Sequence, residues 1–287
     1  MNATAGRPIA VVASRIRLEE KLLLAELARR GVAFEVLDAR RAVFTGAGEP
    51  PYRGAVNREI SHTRGTYATW LLESAGVPVV NSSAIGSVCG DKLRTTLALQ
   101  AAKLPVPHWL VTLTPEAALD ALADFGYPAV VKPVIGSWGR LAARLDCRET
   151  AEAVLEHRTA LPNPVNQVTY VQEYIDKPDR DIKAYVMGGE VIGAIYKTST
   201  EWRTNTKRGG RPLVCPLDDD LVDLLTAAAA AIGDGVLGID VLEHRDGTRY
   251  VNEVNHTPEF HGAIEVLGVD LVARYVDHVL DRLREDV

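Results

Sequence analysis

Short apolar runs alternate with amphipathic stretches from the start of the chain. IAVVAS (9–14) reads as a buried strand. Residues 19–30 carry Leu22, Leu23 and Leu27 at helical spacing and end at Gly31, and FEVLDA (34–39) reads as a second strand. Strand, helix and strand within about 30 residues form a βαβ unit, which predicts a parallel pair and a right-handed crossover. A polar loop with Gly46, Gly48, Pro50 and Pro51 leads to GAVNRE, a helix over 61–74 with Gly76 behind it, and the strand VPVVN (77–81). A first α/β domain is expected over 1–88.

The next stretch, 89–175, reads as a small α+β lobe. A helix over 91–103 precedes TPEAALDALADFG, where Thr114 is placed to cap, Pro115 to open and Gly126 to end a helix. PAVVKPV, the loop IGSWGR, a helix near 149–160 and the strand TYVQEYI (169–175) follow. In 176–287, DIKAYVMGGEVIGAIYK predicts two strands around Gly188-Gly189. Then come a basic loop over 199–211, a helix over 219–232, a strand hairpin and a last helix over 269–284.

Composition narrows the function classes. The 287 residues are 47% apolar and 24% charged, enough for real cores, and 23 Gly and 15 Pro without a repeat exclude collagen-like and solenoid forms. With 32 Lys and Arg against 38 Asp and Glu, the net charge of −6 provides no field for nucleic acid or an anionic membrane. Any anionic ligand must meet a local basic cluster. Cys89, Cys147 and Cys215 lie far apart, which fits reduced thiols. The run at 9–14 is too short for a signal peptide, and the Ala run at 227–231 stands behind Asp218, Asp219, Asp220 and Asp223 in an amphipathic pattern. A cytoplasmic protein with no membrane span is expected.

The hairpin GIDVLEHRDGTRYVNEVN (238–255) carries the clearest chemistry. With Asp246-Gly247 as a two-residue turn, Asp240 falls opposite Glu253, and Asn255 joins them on the same face. Like charges facing across a sheet ask for a cation, unless the pair merely belongs to a solvated acidic face. Asp, Glu and Asn oxygens select a hard ion such as Mg²⁺, which with few protein ligands carries substrate phosphates as well.

Such a site needs cations nearby. Lys132 sits among Val130, Val131 and Val134, and Lys92 opens a helix in GDKLRT. Alone, either lysine reads better as a surface residue with its stem on apolar neighbours. IGSWGR lets backbone approach a phosphate and ends in Arg140, while the loop over 200–211 gathers Arg203, Lys207, Arg208 and Arg211 around Asn205. The usual NTPase phosphate loop is absent, and Gly233-x-Gly235-x-x-Gly238 follows a helix and opens a strand, the reverse of a dinucleotide fingerprint. There is no HExxH, no GxSxG and no metal spacing among seven histidines; His256 and His261 flank the hairpin end.

Together GDKLRT, VVKPVIGSWGR, VQEYI with DIKAYV, WRTNTKRGG and GIDVLE…VNEVNHTPEF resemble the ATP-grasp ligases, in order over almost the whole chain. The likeness is strongest to the LysX branch, carrier-protein ligases of lysine and arginine biosynthesis and relatives of the ribosomal-protein glutamate ligase RimK. The resemblance implies a mixed α/β and α+β protein: an ATP-grasp fold with an N-terminal pre-ATP-grasp α/β domain, a central lobe (89–175) and a C-terminal lobe (176–287). It implies ATP as co-substrate and Mg²⁺, two ions, on Asp240, Glu253 and Asn255. Lys92 and Lys132 would reach phosphates under Gly136, Ser137, Trp138, Gly139 and Arg140. Glu173, Tyr174 and Ile175 would line the adenine pocket near Asp181, and Asn205 would contact phosphate. Arg203 and Lys183 would take catalytic parts, Arg203 at the oxyanion. Thr206, Lys207, Arg208, Glu259, Phe260, His261, Gly262 and Ala263 would face the amino acid.

The implied partners are a small acidic LysW-like carrier protein, ligated at its C-terminal Glu side chain, and glutamate or α-aminoadipate as the amine, in a homodimer or homotetramer. A RimK-like glutamate ligase, a free small-molecule ligase and an ATP sensor are the competing expectations. Lys183 stands where relatives commonly have Arg and Lys207 where they often have a small residue. Lysine lacks the bidentate fork of arginine, so the amino-acid choice stays open.

Overall fold

The computed structural model describes residues 6–46, 50–199, 202 and 212–285. The first unit comprises β1 (Ile9–Val12), α1 (Leu18–Arg29), β2 (Phe34–Leu37), β3 (Gly54–Asn57), α2 (His62–Ser74) and β4 (Val79–Val80). Its strands form a parallel sheet in the order β2-β1-β3-β4. The unbroken apolar run of β1 is explained by its position: a central parallel strand is covered on both faces, and Ile9 to Val12 are all buried. A short helix, α3 (Ser83–Cys89), follows without a sequence expectation. It is a seven-residue SAIGSVC segment that buries only Ile85 and so shows no apolar stripe.

After α4 (Lys92–Ala101) come β5 (Trp109–Thr112), α5 (Pro115–Phe125), β6 (Ala129–Pro133), β7 (Ala143–Leu145), α6 (Arg148–Thr159) and β8 (Thr169–Glu173). The strands form an antiparallel sheet, β5-β8-β6-β7, and Leu122 of α5 and Leu155 of α6 pack on its Val131 and Val171. Thr114 caps α5 and Pro115 opens it, as the sequence predicts.

The third sheet runs β11-β10-β9-β12-β13, all antiparallel, from β9 (Arg180–Met187), β10 (Glu190–Thr198), β11 (Pro212–Cys215), β12 (Val236–Glu243) and β13 (Arg249–Asn255). Met187 pairs with Glu190 across Gly188-Gly189, whose positive φ values of 59° and 77° make the two-residue turn. Alternation decides the sheet's two roles. Ile182, Ala184 and Val186 of β9 face helix α7 (Asp219–Ile232), whereas Tyr185 and Met187 join a different core and Asp181 and Lys183 line a cleft.

The chain closes with α8 (His261–Leu267) and α9 (Leu271–Glu285), separated at Gly268, whose φ is +66°. Tyr275, Val276, Val279 and Leu283 of α9 share one core with Ile9, Val11 and Val56 of the first sheet and Tyr185 and Met187 of the third. The first unit is thereby fixed against the last. Among the described residues no helix is long and apolar enough to cross a membrane.

Candidate active site

The acidic hairpin places Asp240 opposite Glu253, as counted from the sequence, but by a different route. The turn has three residues rather than two: His244 donates its backbone N–H to Thr248 at 2.8 Å around Arg245, Asp246 and Gly247. That slip is cancelled by a bulge between Asp240 and Val241, where Asn252 is the extra residue. Asn255 Nδ2 donates to Asp240 Oδ2 at 3.0 Å, so the three oxygen-bearing side chains lie together.

Cations crowd this acidic face. Lys197 Nζ donates to Asp240 Oδ1 at 2.5 Å, and Lys183 sits across from Asp240 on β9. Burial raises the Asp240 carboxyl, but Lys197, Lys183 and Asn255 outweigh it and hold the group below its ordinary range, so it is ionised at neutral pH. Asp181 pairs with Lys177 and faces Lys197 across the strands; burial pushes it up. Among the described residues no cluster of three or more His, Cys, Asp or Glu side chains could hold a metal. Two carboxylates and one amide oxygen remain, a hard and incomplete donor set that fits Mg²⁺ shared with phosphate oxygens.

Lys92 and Lys132 approach the same face from the second unit. Lys92 Nζ donates to Gly136 O at 2.7 Å and pairs with Glu253 Oε1 at 3.3 Å. Lys132 Nζ donates to Gln172 Oε1 at 2.5 Å and to the bulged Asn252 Oδ1 at 2.8 Å. Gln172 is held in turn by its donation to Tyr170 Oη at 2.6 Å. Among the described residues no carboxylate touches Lys132, and burial pushes its ammonium down to about 8 against the pull of Glu253.

These groups line a cleft of about 690 Å³, together with Gly136, Ser137, Trp138, Gly139, Arg140, Glu173, Tyr174 and Ile175. The IGSWGR loop carries positive φ at Trp138 and Gly139, and the Arg140 guanidinium stacks 4.9 Å from the Trp138 ring centroid. Glu173 is tied to His108 by both backbone and side chain, and Arg144 stacks on Tyr174, which fixes the stretch between the two lobes. Val130, Ile175 and Leu242 supply apolar wall.

The segment after Asn255 is pinned from three directions. Asn81 donates to His256 O at 2.6 Å, Arg58 to Pro258 O at 3.2 Å, and Tyr185 Oη to Glu259 O at 3.1 Å. Its side chains are held as well, Glu259 by Arg17 at 3.0 Å and His261 by Glu19 at 2.5 Å. Glu259, His261 and Gly262 therefore line the cleft, whereas Phe260 and Ala263 are buried in the core and do not. Arg203, Asn205, Thr206, Lys207 and Arg208 lie outside the described residues. Sequence reading missed Lys197, Gln172 and Asn252. The residue count from the Gly188-Gly189 turn would put Lys197 opposite Arg180, and a bulge between Val191 and Gly193 moves it opposite Asp181.

Residues 89–279 of this fold match the family model of the RimK-like ATP-grasp domain. The chain belongs to the RimK-like ATP-grasp family. Residues 9–88 match the LysX preATP-grasp domain. The chain is 35% identical over 274 residues to the glutamate–LysW ligase ArgX of Sulfolobus acidocaldarius, covering 94% of this chain and 97% of that one. It is 32% identical over 276 residues to the α-aminoadipate–LysW ligase LysX of the same organism, covering 94% and 99%. The crystal structure of a RimK domain ATP-grasp protein from Sphaerobacter thermophilus superimposes with a TM-score of 0.80 at 26% identity, covering 95% and 99%. This ATP-grasp chain is an ATP-dependent, ADP-forming carboxylate–amine ligase, of a family that uses ATP and Mg²⁺.

Proposed function

We propose that the chain joins the α-amino group of glutamate or α-aminoadipate to the side-chain carboxylate of a C-terminal Glu on a small acidic carrier protein. The observation that carries this reading is the likeness, over nearly the full length of both chains, to two ligases that act on one carrier and differ in the amino acid. In this reading residues 1–88 form the pre-ATP-grasp domain, and 89–175 and 176–287 the two lobes around ATP. Asp240, Glu253 and Asn255 hold the magnesium, two ions in all. The enzyme is a cytoplasmic homodimer or homotetramer.

Bound Mg-ATP supplies the phosphoryl group and the charge that neutralises it. A carboxylate oxygen of the acceptor attacks the γ-phosphorus and ADP leaves, forming an acyl phosphate. The amine then attacks the acyl carbon, loses a proton and expels phosphate. Lys92 and Lys132 each spend two of three ammonium donors on protein acceptors, which leaves one apiece for phosphate oxygens. Lys183, across from Asp240, adds positive charge where the phosphoryl group passes. Glu173, Tyr174 and Ile175 take the adenine beside Asp181. Arg203 steadies the oxyanion, Asn205 contacts phosphate, and Thr206, Lys207 and Arg208 join Glu259, His261 and Gly262 around the amino acid. Phe260 and Ala263 support that wall from the core.

The test is ADP release with Mg-ATP and a panel of acidic amino acids, with and without a carrier, together with the carrier's mass. A gain of one amino-acid residue in the carrier is the expected result. ADP release independent of the carrier would move the reading to a free small-molecule ligase.

A further inference from the structure

Arg17, just before α1, faces two carboxylates of different character. Its Nε and Nη2 donate to the two oxygens of Glu20 at 3.0 and 2.9 Å, a bidentate fork. Glu20 is fully buried and also accepts from the equally buried Arg58 at 3.0 Å, so this side of Arg17 is fixed. The remaining nitrogen, Nη1, donates to Glu259 Oε1 at 3.0 Å. Here the side chains are 19% and 24% exposed, and both residues line the cleft. Glu259 can leave this bond without stranding a buried charge, whereas Glu20 cannot.

We propose that Arg17 is the receptor for a substrate carboxylate, and that Glu259 is an internal carboxylate occupying the receptor until substrate displaces it. The inference rests on the carrier-ligase reading, in which the amino acid and the carrier's last residue each bring an α-carboxylate. A guanidinium fixed beforehand on its buried side loses little freedom when its open donor takes a carboxylate. A resident carboxylate at that donor also balances the Arg17, Glu20 and Arg58 cluster, which otherwise sets two guanidinium groups against one carboxylate.

The experiment measures calorimetric affinities of the full chain, with Mg-ADP present, for glutamate, α-aminoadipate and a synthetic acidic peptide ending in Glu. The proteins are the wild type, Arg17→Met, Arg17→Lys and Glu259→Gln. Arg17→Met is expected to weaken one class of probe, amino acid or peptide, about tenfold or more, and Arg17→Lys to weaken it less. Glu259→Gln is expected to strengthen the same class severalfold, a gain that damage to the fold would not give. The class that responds identifies which carboxylate Arg17 receives. If Arg17→Met and Glu259→Gln weaken binding alike, their bond is only a structural pin and the proposal is overturned. It is equally overturned if neither variant changes any affinity or if the wild type binds no probe. Failure of the ligase reading shows separately, as a wild type that binds the probes but transfers no amino acid to a carrier.

Discussion

Raising the pH should loosen nucleotide through Lys132. Burial brings its ammonium down to about 8, so about nine-tenths of it is charged at pH 7 and about one-tenth at pH 9. A bound phosphate favours the charged form and raises the pKa in the complex. Affinity therefore falls as pH rises through 8, by about tenfold between pH 7 and 9, or about 1.4 kcal/mol. Of the other shifted groups, His62 and His256 are driven down by burial, Cys89 and Cys215 are driven up, and Lys197 is held above its ordinary value by Asp240 and Asp181 despite burial, all away from this window; burial also raises Asp181, whose contribution the Lys132→Arg control separates from that of Lys132. The assay is calorimetric titration of Mg-ADP at half-unit pH steps, on the wild type and on Lys132→Arg, whose guanidinium does not titrate there. A flat wild-type profile, or the same tenfold decline in Lys132→Arg, would show that Lys132 does not set the pH dependence. The stability term has the opposite sign. A folded pKa below the ordinary one means that charging Lys132 costs stability at neutral pH, and that cost fades as pH rises through 8 toward 10.5.

Three further outcomes are expected. Glu253→Gln removes a charge from the proposed hard-ion donor set and should lower Mg-dependent ADP release by about two orders of magnitude while leaving the thermal midpoint nearly unchanged; full turnover would remove Glu253 from the proposed metal site. Arg58→Met breaks a fully buried ion pair with Glu20 and two contacts with the Phe260 and Tyr275 rings. Because Glu20 keeps Arg17, the loss should fall at the lower end of the usual range, about 3 kcal/mol in urea unfolding, and a loss below about 1 would contradict it. Gly235→Ala would set a methyl 2.3 Å from Asn81 Oδ1 and 2.9 Å from Ile85. Asn81 is held by Val236 and His256 and cannot withdraw, so about 2 kcal/mol should be lost, read as a lower thermal midpoint.

Local signals carried most of the architecture into the sequence. The run at 9–14, the Thr114-Pro115 start of α5 and the Gly188-Gly189 turn are each set by neighbours along the chain, and they read correctly. Helix α3 and the edge strand β11 did not show, since neither repeats an apolar position often enough to make a period. The acidic pair was legible through register, although the true register combines a longer turn with a compensating bulge. Counting residues cannot reveal such a bulge, and it is the bulge that brings Asn252 to Lys132. The Arg17, Glu20 and Arg58 cluster was hidden for another reason. Arg17 and Glu20 stand one helical turn apart, but Arg58 joins them from 38 residues further on, and the bonds to Glu259 and Pro258 form only because the first unit packs against the segment after Asn255.

In the proposed reaction a carboxylate of the acceptor is activated by phosphoryl transfer before the amine attacks. This activation is tested most directly by incubating the enzyme and Mg-ATP with an acidic carrier peptide labelled with oxygen-18 in its terminal Glu side-chain carboxylate, adding glutamate or α-aminoadipate, and following the label by mass spectrometry. One labelled oxygen should appear in the released phosphate for each amide formed, with ADP as the other product. Label appearing in AMP, or amide formed with unlabelled phosphate, would contradict that activation.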